Sequence, residues 1–369
     1  MTESQSFLLS LVRMALWGGH ESLPEHTPDW KKVISQAYRQ TLMGLVADAV
    51  PMLPDHMQPD VQTKLKLHAV AMKIAQTHSL LNRKVADIKT RMDSFGMHTV
   101  LLKGQGTALN YRNPQSRQCG DIDLYVGEKN FEEALRKLVP DSDRTAGYYS
   151  LLKHFDIEED GTSIEVHRVA DILPGLKQNR IFQKWTEDKM QPESVRKVEI
   201  GGATVSLPPA DFDAIYIMYH TWHHFMNGGI GLRQICDWAM HMHRFHDQID
   251  TDTLEKNLSS FGLTRAWKIL SCVAVRHLGL PEAECPLYDT SYAAKADKAL
   301  EVIWEEGNFG YHSDARKTQR PEGLLAGKFY AFRLNTSRVL SIFSISPADV
   351  IHSWIFYFVR GMLNIFKIK

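Results

Sequence analysis

The chain has no surplus of either charge: Lys plus Arg and Asp plus Glu each total 43 in 369 residues, a formal net charge of zero. A protein that gathers duplex nucleic acid by whole-surface attraction normally carries a basic excess, so strong duplex binding is not expected. Cysteine is scarce too. Cys119, Cys236, Cys272 and Cys285 lie far apart with no CxxC, which argues against a disulfide framework or a cysteine-rich zinc site and fits a reducing, cytoplasmic setting. Long hydrophobic runs are also missing. Residues 6–17 are apolar, but Glu3 precedes them and Arg13 interrupts them, whereas a secretory leader wants positive charge ahead of its apolar run. The apolar tail at 350–366 contains His352, Ser353, Arg360 and Asn364, too short and too polar for a span. No fixed-period repeat is present, which argues against a solenoid. What is present is a globular composition, 44% hydrophobic and 23% charged, at a length of roughly two to three domains.

Periodicity divides the chain in three. Residues 1–96 read as helical: Phe7, Leu8, Leu11, Val12, Ala15 and Leu16 recur at the spacing of an amphipathic helix. Pro51, Pro54 and Pro59 separate this block from a long helix over 61–95, with Leu65, Ala69, Met72 and Ala75 and then Leu80, Val85, Ile88 and Met92 on its apolar side. Residues 97–207 change period. Short strands are predicted at 99–103 and 121–126, with a helix starting near Thr107 and another over 131–138. Two hairpins are predicted around Asp160-Gly161 and Gly201-Gly202. This is an α+β core with a mixed or antiparallel sheet. Residues 208–369 return to helical spacing, with helices over 210–226 and 232–245.

The chemistry concentrates in the middle block. Asp121 and Asp123 are two apart on a strand, so both carboxylates leave the same face while Ile122 and Leu124 enter the core. Hard oxygen donors at that spacing suit Mg²⁺ or Mn²⁺. In 163–167, Glu165 and His167 share one face, and if this strand lies beside the first, Glu165 becomes a third carboxylate. Three such groups can hold two ions roughly 3.5–4 Å apart, one activating a hydroxyl and one neutralising a leaving pyrophosphate. Gly104 and Gly106 permit close backbone approach in the turn after the first strand, and Lys103 and Arg117 are the natural cations for phosphates. Arg117 could instead pair with Asp121 or Glu165.

The string LLKGQGTALNYRNPQSRQCGDIDLYV followed by IEVH resembles the nucleotidyltransferase superfamily of the DNA polymerase β fold. More narrowly, it resembles a bacterial family of uncharacterised nucleotidyltransferases with an LKG…R…DIDLLV and ELH pattern. The stretches PADFDAIYIMYHTWHHF and GLRQICDWAMH are similar to that family's helical half. The resemblance implies transfer of an NMP from an NTP to an acceptor hydroxyl, with two divalent ions and release of pyrophosphate. It implies that Asp121, Asp123 and Glu165 are the metal ligands, and that Lys103 and Gly104 lie in the phosphate-binding turn. The acceptor is open: a small molecule, a glycan, an RNA or a protein, the last two including a toxin-type modification of tRNA or protein. Where the superfamily usually has Gly-Ser or Gly-Gly, this chain has Gly104-Gln105. Gln105 is expected to join Lys103, Gly104 and Arg117 in binding the nucleotide, but it offers a phosphate no serine hydroxyl, and a catalytically silent nucleotide- or partner-binding module is the alternative that rests on it.

Several other groups have a plain reading beside a chemical one. His167 supports the carboxylates or acts directly. His220 and His224 share a helix face at i, i+4 and could chelate zinc, but position 221 is Thr rather than the Glu of HExxH; helix packing comes first, acceptor contact second. Arg233 and Asp237 form an i, i+4 pair or line a pocket. In 328–369, six cations (Lys328, Arg333, Arg338, Arg360, Lys367 and Lys369) face only Asp349 among nine aromatics that include Trp354, Phe356, Tyr357 and Phe358. Helices packed with snorkelling cations are the first reading, weak membrane-surface contact the second.

Overall fold

The computed structural model describes residues 1–19, 21–24, 26–140, 152–308, 323, 330, 332–333, 336 and 338–351. The chain begins with α1 (Glu3–Trp17), α2 (Trp30–Arg39) and α3 (Met43–Ala49). Helix α1 is more than amphipathic: Phe7, Leu8, Leu9, Leu11, Val12 and Met14 are buried around its whole circumference, because it packs on α3 on one side and on a C-terminal helix on the other. Two single 3-10 turns fill the proline-rich stretch before α4 (Val61–Ser94), which ends with Gly96 in a left-handed conformation. The apolar side of α4 differs from the expected one in its first half. Leu65 and Met72 are exposed, and Leu67, with Val70 and Ile74, faces the core instead. Leu80 is exposed as well and Leu81 is buried in its place, whereas Val85, Ile88 and Met92 are buried as expected.

The middle block runs β1 (Val100–Leu102), α5 (Gly104–Ala108), β2 (Asp121–Tyr125), α6 (Glu128–Leu138), β3 (His154–Glu159), β4 (Thr162–His167), α7 (Leu176–Lys189), β5 (Arg196–Ile200) and β6 (Ala203–Leu207). Four strands make one mixed sheet in the order β1-β2-β4-β3, with β2 and β4 parallel and the outer pairs antiparallel. The fold is α+β. The second hairpin, β5–β6, stands as a separate two-stranded sheet. Helix α5 begins at Gly104, three residues before the expected start. Helix α7 was not foreseen: its sequence is mostly polar and buries only Phe182 and Thr186, which leaves almost no apolar stripe to detect.

The helical half then follows as α8 (Ala210–Asn227), α9 (Leu232–Phe245), α10 (Thr251–Phe261), α11 (Thr264–Leu278) and α12 (Ala293–Glu306). Two cores organise these elements. Ile122, Leu124, Ile164 and Val166 cover one sheet face with α4 and α6, through Val85, Ile88, Phe131 and Leu135. The larger core joins α1–α3 to α8–α12, and Val100 and Leu102 enter it from the opposite sheet face. The helices before and after the sheet therefore share one interior, and the carboxylate face of the sheet turns toward it. Ile342, Ile345 and Val350 also belong to this core. The tail residues Lys328, Trp354, Phe356, Tyr357, Phe358, Arg360, Lys367 and Lys369 lie outside the described residues. Among the described residues, no helix is long and apolar enough to cross a membrane.

His241 ties α9 to the start of α8 by donating from Nε2 to the Ala210 carbonyl at 2.8 Å. Burial pushes this imidazole from its ordinary 6.5 down to about 3. A folded pKa below the unfolded one means that the unfolded chain binds more protons between those values. Stability is then present above pH 6.5 and lost as the pH falls toward 3. Between pH 7 and pH 5 the loss from this group is about 2 kcal/mol. His241→Gln, which keeps an N–H for Ala210, should shed that loss, so denaturant unfolding of the two proteins should converge toward pH 5. Parallel pH dependences would refute the assignment.

Candidate functional site

Sheet register brings the predicted carboxylates together. The parallel β2–β4 ladder sets Asp123 opposite Glu165, and Asp121 opposite Ser163. Asp121, Asp123 and Glu165 each offer an oxygen within 4.8 Å of the others. Their environments differ. The Asp121 side chain is 44% exposed, Glu165 is 24% exposed, and Asp123 is fully buried.

Cations neutralise this face. The Lys103 ammonium lies 2.7 Å from Asp123 Oδ1 and 3.9 Å from Asp121 Oδ2. His167 Nε2, 3.1 Å from both Asp123 Oδ1 and Glu165 Oε2, must donate, because carboxylates only accept. Burial favours the neutral form of Asp123, but the Lys103 charge and the His167 hydrogen bond override it and hold the carboxyl well below the usual range. Glu165 is lowered too: burial opposes its charge, and His167 and Lys103 favour it. The same pairing raises Lys103 and His167 against the effect of their burial. Asp123 Oδ2 is nonetheless buried with no hydrogen-bond partner. An orphaned carboxylate oxygen beside two further carboxylates fits a divalent cation with a preference for oxygen, of the Mg²⁺ or Mn²⁺ kind.

The turn after β1 is strained. Lys103 has φ +36° and ψ −140°, a backbone region that costs about 1–3 kcal/mol for a residue with a side chain. Gly104 follows at φ +51°, where its missing Cβ matters. Gly106 has another use: a Cβ there would come within 2.6 Å of Leu207 Cδ2, so this glycine lets α5 close onto β6 and does not open the backbone to a ligand.

Two expected phosphate contacts are engaged elsewhere. Gln105 is buried, and its Nε2 donates to Asn82 Oδ1 at 2.6 Å and to the His78 carbonyl at 3.2 Å. It anchors the turn to α4 instead of facing a phosphate. Arg117 pairs with neither Asp121 nor Glu165. Its Nε and Nη2 donate to the two oxygens of Asp237, each at 2.8 Å, inside the protein. Tyr111 donates to Asp237 at 2.6 Å, and Arg233 adds a contact at 3.2 Å. Arg233 and Asp237 are thus a helix pair as expected, but within a buried network joining the loop before β2 to α9. Burial favours the neutral form of Asp237, and Arg117 holds it charged.

The structure adds residues that sequence reasoning passed over. Asp171, fully buried after β4, accepts from Lys153 at 3.2 Å and lies 3.2 Å from His223 Nδ1 and 3.5 Å from His220 Nδ1. His220 meets His224 edge-on, with centroids 4.4 Å apart. Burial first, and then the nearby Lys103 charge, holds His220 well below its usual pKa, and burial puts His224 at about 4. Both are neutral packing imidazoles at pH 7, and among the described residues neither joins a metal-ligand cluster. Tyr216, one turn before His220, is buried with its hydroxyl unpartnered. Its pKa is pushed up by burial and then by the charges of Asp123, Asp171 and Glu165. Residues 216, 220 and 224 fall at i, i+4, i+8 on α8, and the charges of Asp123 and Glu165 act on Tyr216 while that of Lys103 acts on His220 and His224. Their spacing was visible in the sequence; Asp171 sits in a loop with no motif around it.

A model of a family described as "Uncharacterised nucleotidyltransferase" matches residues 26–279. No curated protein matches. The crystal structure of an antigenic nucleotidyltransferase-like protein from Paracoccidioides brasiliensis aligns over 59% of this chain and 95% of that one, at 14% identity and a TM-score of 0.29.

The Asp237 network has a measurable consequence. Asp237→Asn leaves Arg117 buried without its counter-charge, which should cost about 3 kcal/mol or more in denaturant unfolding. A loss below about 1 kcal/mol would mean that Arg117 is not fixed by this pair.

Proposed function

The chain belongs to the uncharacterised nucleotidyltransferase family, and from that premise we propose that it transfers the NMP moiety of an NTP to an acceptor hydroxyl with release of pyrophosphate. The observation that carries this reading is the gathering of Asp121, Asp123 and Glu165 on one sheet face, with Lys103 at its rim. A pair of bound Mg²⁺ or Mn²⁺ ions would supply charge neutralisation at the reacting phosphate. The protein's own residues do the rest. Asp121, Asp123 and Glu165 hold the cations, and Asp123 is kept ionised in a buried setting where it cannot turn away. Lys103 and the Gly104 turn hold the triphosphate. Tyr216 and His220 wall the reacting space from α8 and limit water.

Catalysis of this kind rests on alignment and on preformed charge more than on covalent chemistry. A prepaid backbone strain at Lys103 is consistent with that, because it fixes the ammonium before substrate arrives. With Gln105 turned into α4, phosphate contact in this turn falls to backbone N–H groups and Lys103. The acceptor class is left to experiment, with small molecules, glycans, RNA and protein all in view.

The test uses NTPs labelled at the α-phosphorus, incubated with the full chain, Mg²⁺ and a cell extract. Label should pass to an acceptor, chelator should stop it, and Asp123→Asn should lower it by about 10²–10³-fold, a loss typical of a removed electrostatic contact to the transition state. Far-UV circular dichroism of the variant should match the parent. Label transfer that survives Asp123→Asn, or that proceeds in chelator, would overturn the proposal.

A further inference from the structure

A second group of donors occupies the outer half of the same sheet face. His154 opens β3 and stands opposite His167 in the antiparallel β3–β4 ladder, with Glu165 two residues before His167 on β4. The pleat therefore sends all three side chains to one face. Their rings and carboxylate converge. His154 Nδ1 lies 3.5 Å, and His167 Nε2 3.1 Å, from a single oxygen, Glu165 Oε2. Donors bound to a tetrahedral ion at about 2.0–2.1 Å stand about 3.3–3.4 Å apart, so these two spacings are those of a coordination edge. One donor atom from each of the three lies within 4.8 Å of the others.

Two further observations separate this group from an ordinary polar cluster. His154 Nδ1 is buried and makes no hydrogen bond. The far nitrogen of each ring also has an acceptor beside it: Asp156 Oδ1 is 3.4 Å from His154 Nε2, and the Val169 carbonyl is 3.3 Å from His167 Nδ1. Ligating imidazoles are usually braced in this way, by a carboxylate or backbone carbonyl on the nitrogen that does not touch the ion. Two imidazoles and one carboxylate suit zinc and the neighbouring first-row ions; magnesium takes oxygen donors.

We propose that His154, Glu165 and His167 form a binding site for a divalent transition ion, with Zn²⁺ preferred to Mg²⁺, and that Glu165 is shared between this site and the Asp121–Asp123 pair. Binding displaces the proton that His167 Nε2 now directs at the carboxylates, and that proton leaves to solvent. The site needs no nucleotide, so it stands or falls apart from nucleotidyl transfer.

Zn²⁺ is titrated into the full chain by calorimetry with Mg²⁺ in large excess. One ion should bind per chain. His154→Gln should weaken it by about tenfold or more, as expected for a lost donor, while Asp121→Asn should change it by less than about threefold. Cu²⁺, an imidazole-seeking paramagnetic probe, bound at one equivalent to the unaltered chain with Mg²⁺ in excess should show imidazole nitrogen coupling in pulsed electron paramagnetic resonance, a readout that depends on no variant. Equal Zn²⁺ affinity in His154→Gln, or a Cu²⁺ spectrum without nitrogen coupling, overturns the site. If Mg²⁺-dependent label transfer persists in that case, nucleotidyl transfer still stands.

Discussion

A fully buried carboxylate, Asp123, has to stay ionised in the middle of a sheet, and much of the surrounding structure follows from that. Burial alone would protonate it. Lys103 and His167 prevent this from opposite sides, one from the turn after β1 and one from the adjacent parallel strand. The arrangement requires β1 to end at Asp123, which the β1–β2 register provides by pairing Leu102 with it. It requires β4 to run parallel to β2, so that Glu165 and His167 arrive on the same face. It also requires Lys103 to leave its strand in a backbone conformation that a side chain tolerates poorly. Even so, one oxygen of Asp123 remains without a partner.

The same economy of charge extends outward. Asp171 is buried among Lys153, His220 and His223, and Asp237 among Arg117, Tyr111 and Arg233. Each acidic centre joins elements distant in sequence: the β4 exit to α8 in one case, the loop before β2 to α9 in the other. Buried pairs of this sort add little net stability over apolar packing, but breaking one is costly. They hold the helical half against the carboxylate face at defined points, while the shared core of α1–α3 and α8–α12 supplies the bulk of the burial.

Much of this was legible in the sequence, for physical reasons that can be named. Alternation at 121–126 and 162–167 placed Asp121, Asp123, Glu165 and His167 on polar faces, and the Asp160-Gly161 turn fixed a hairpin. That turn also carried an unread consequence: pairing Glu159 with Thr162 sets His154 opposite His167 by counting back along the ladder. The resemblance pointed to the family that the match over residues 26–279 supports. What could not be read was partner choice over long separations. Arg117 has Asp121 four residues away but finds Asp237 from α9. Gln105, beside the phosphate-binding turn in sequence, is claimed by α4. The first half of α4 buried a different side because which face meets α3 is a tertiary matter, and α7 carries too few apolar residues to announce itself.

The most direct measurement is a crystal structure of the chain with Mn²⁺ and a non-hydrolysable NTP analogue, read by anomalous scattering. Manganese peaks should lie among Asp121, Asp123 and Glu165, with the triphosphate against Lys103 and Gly104. An analogue bound elsewhere on the protein, or a carboxylate trio with no manganese at saturating concentration, would contradict the account.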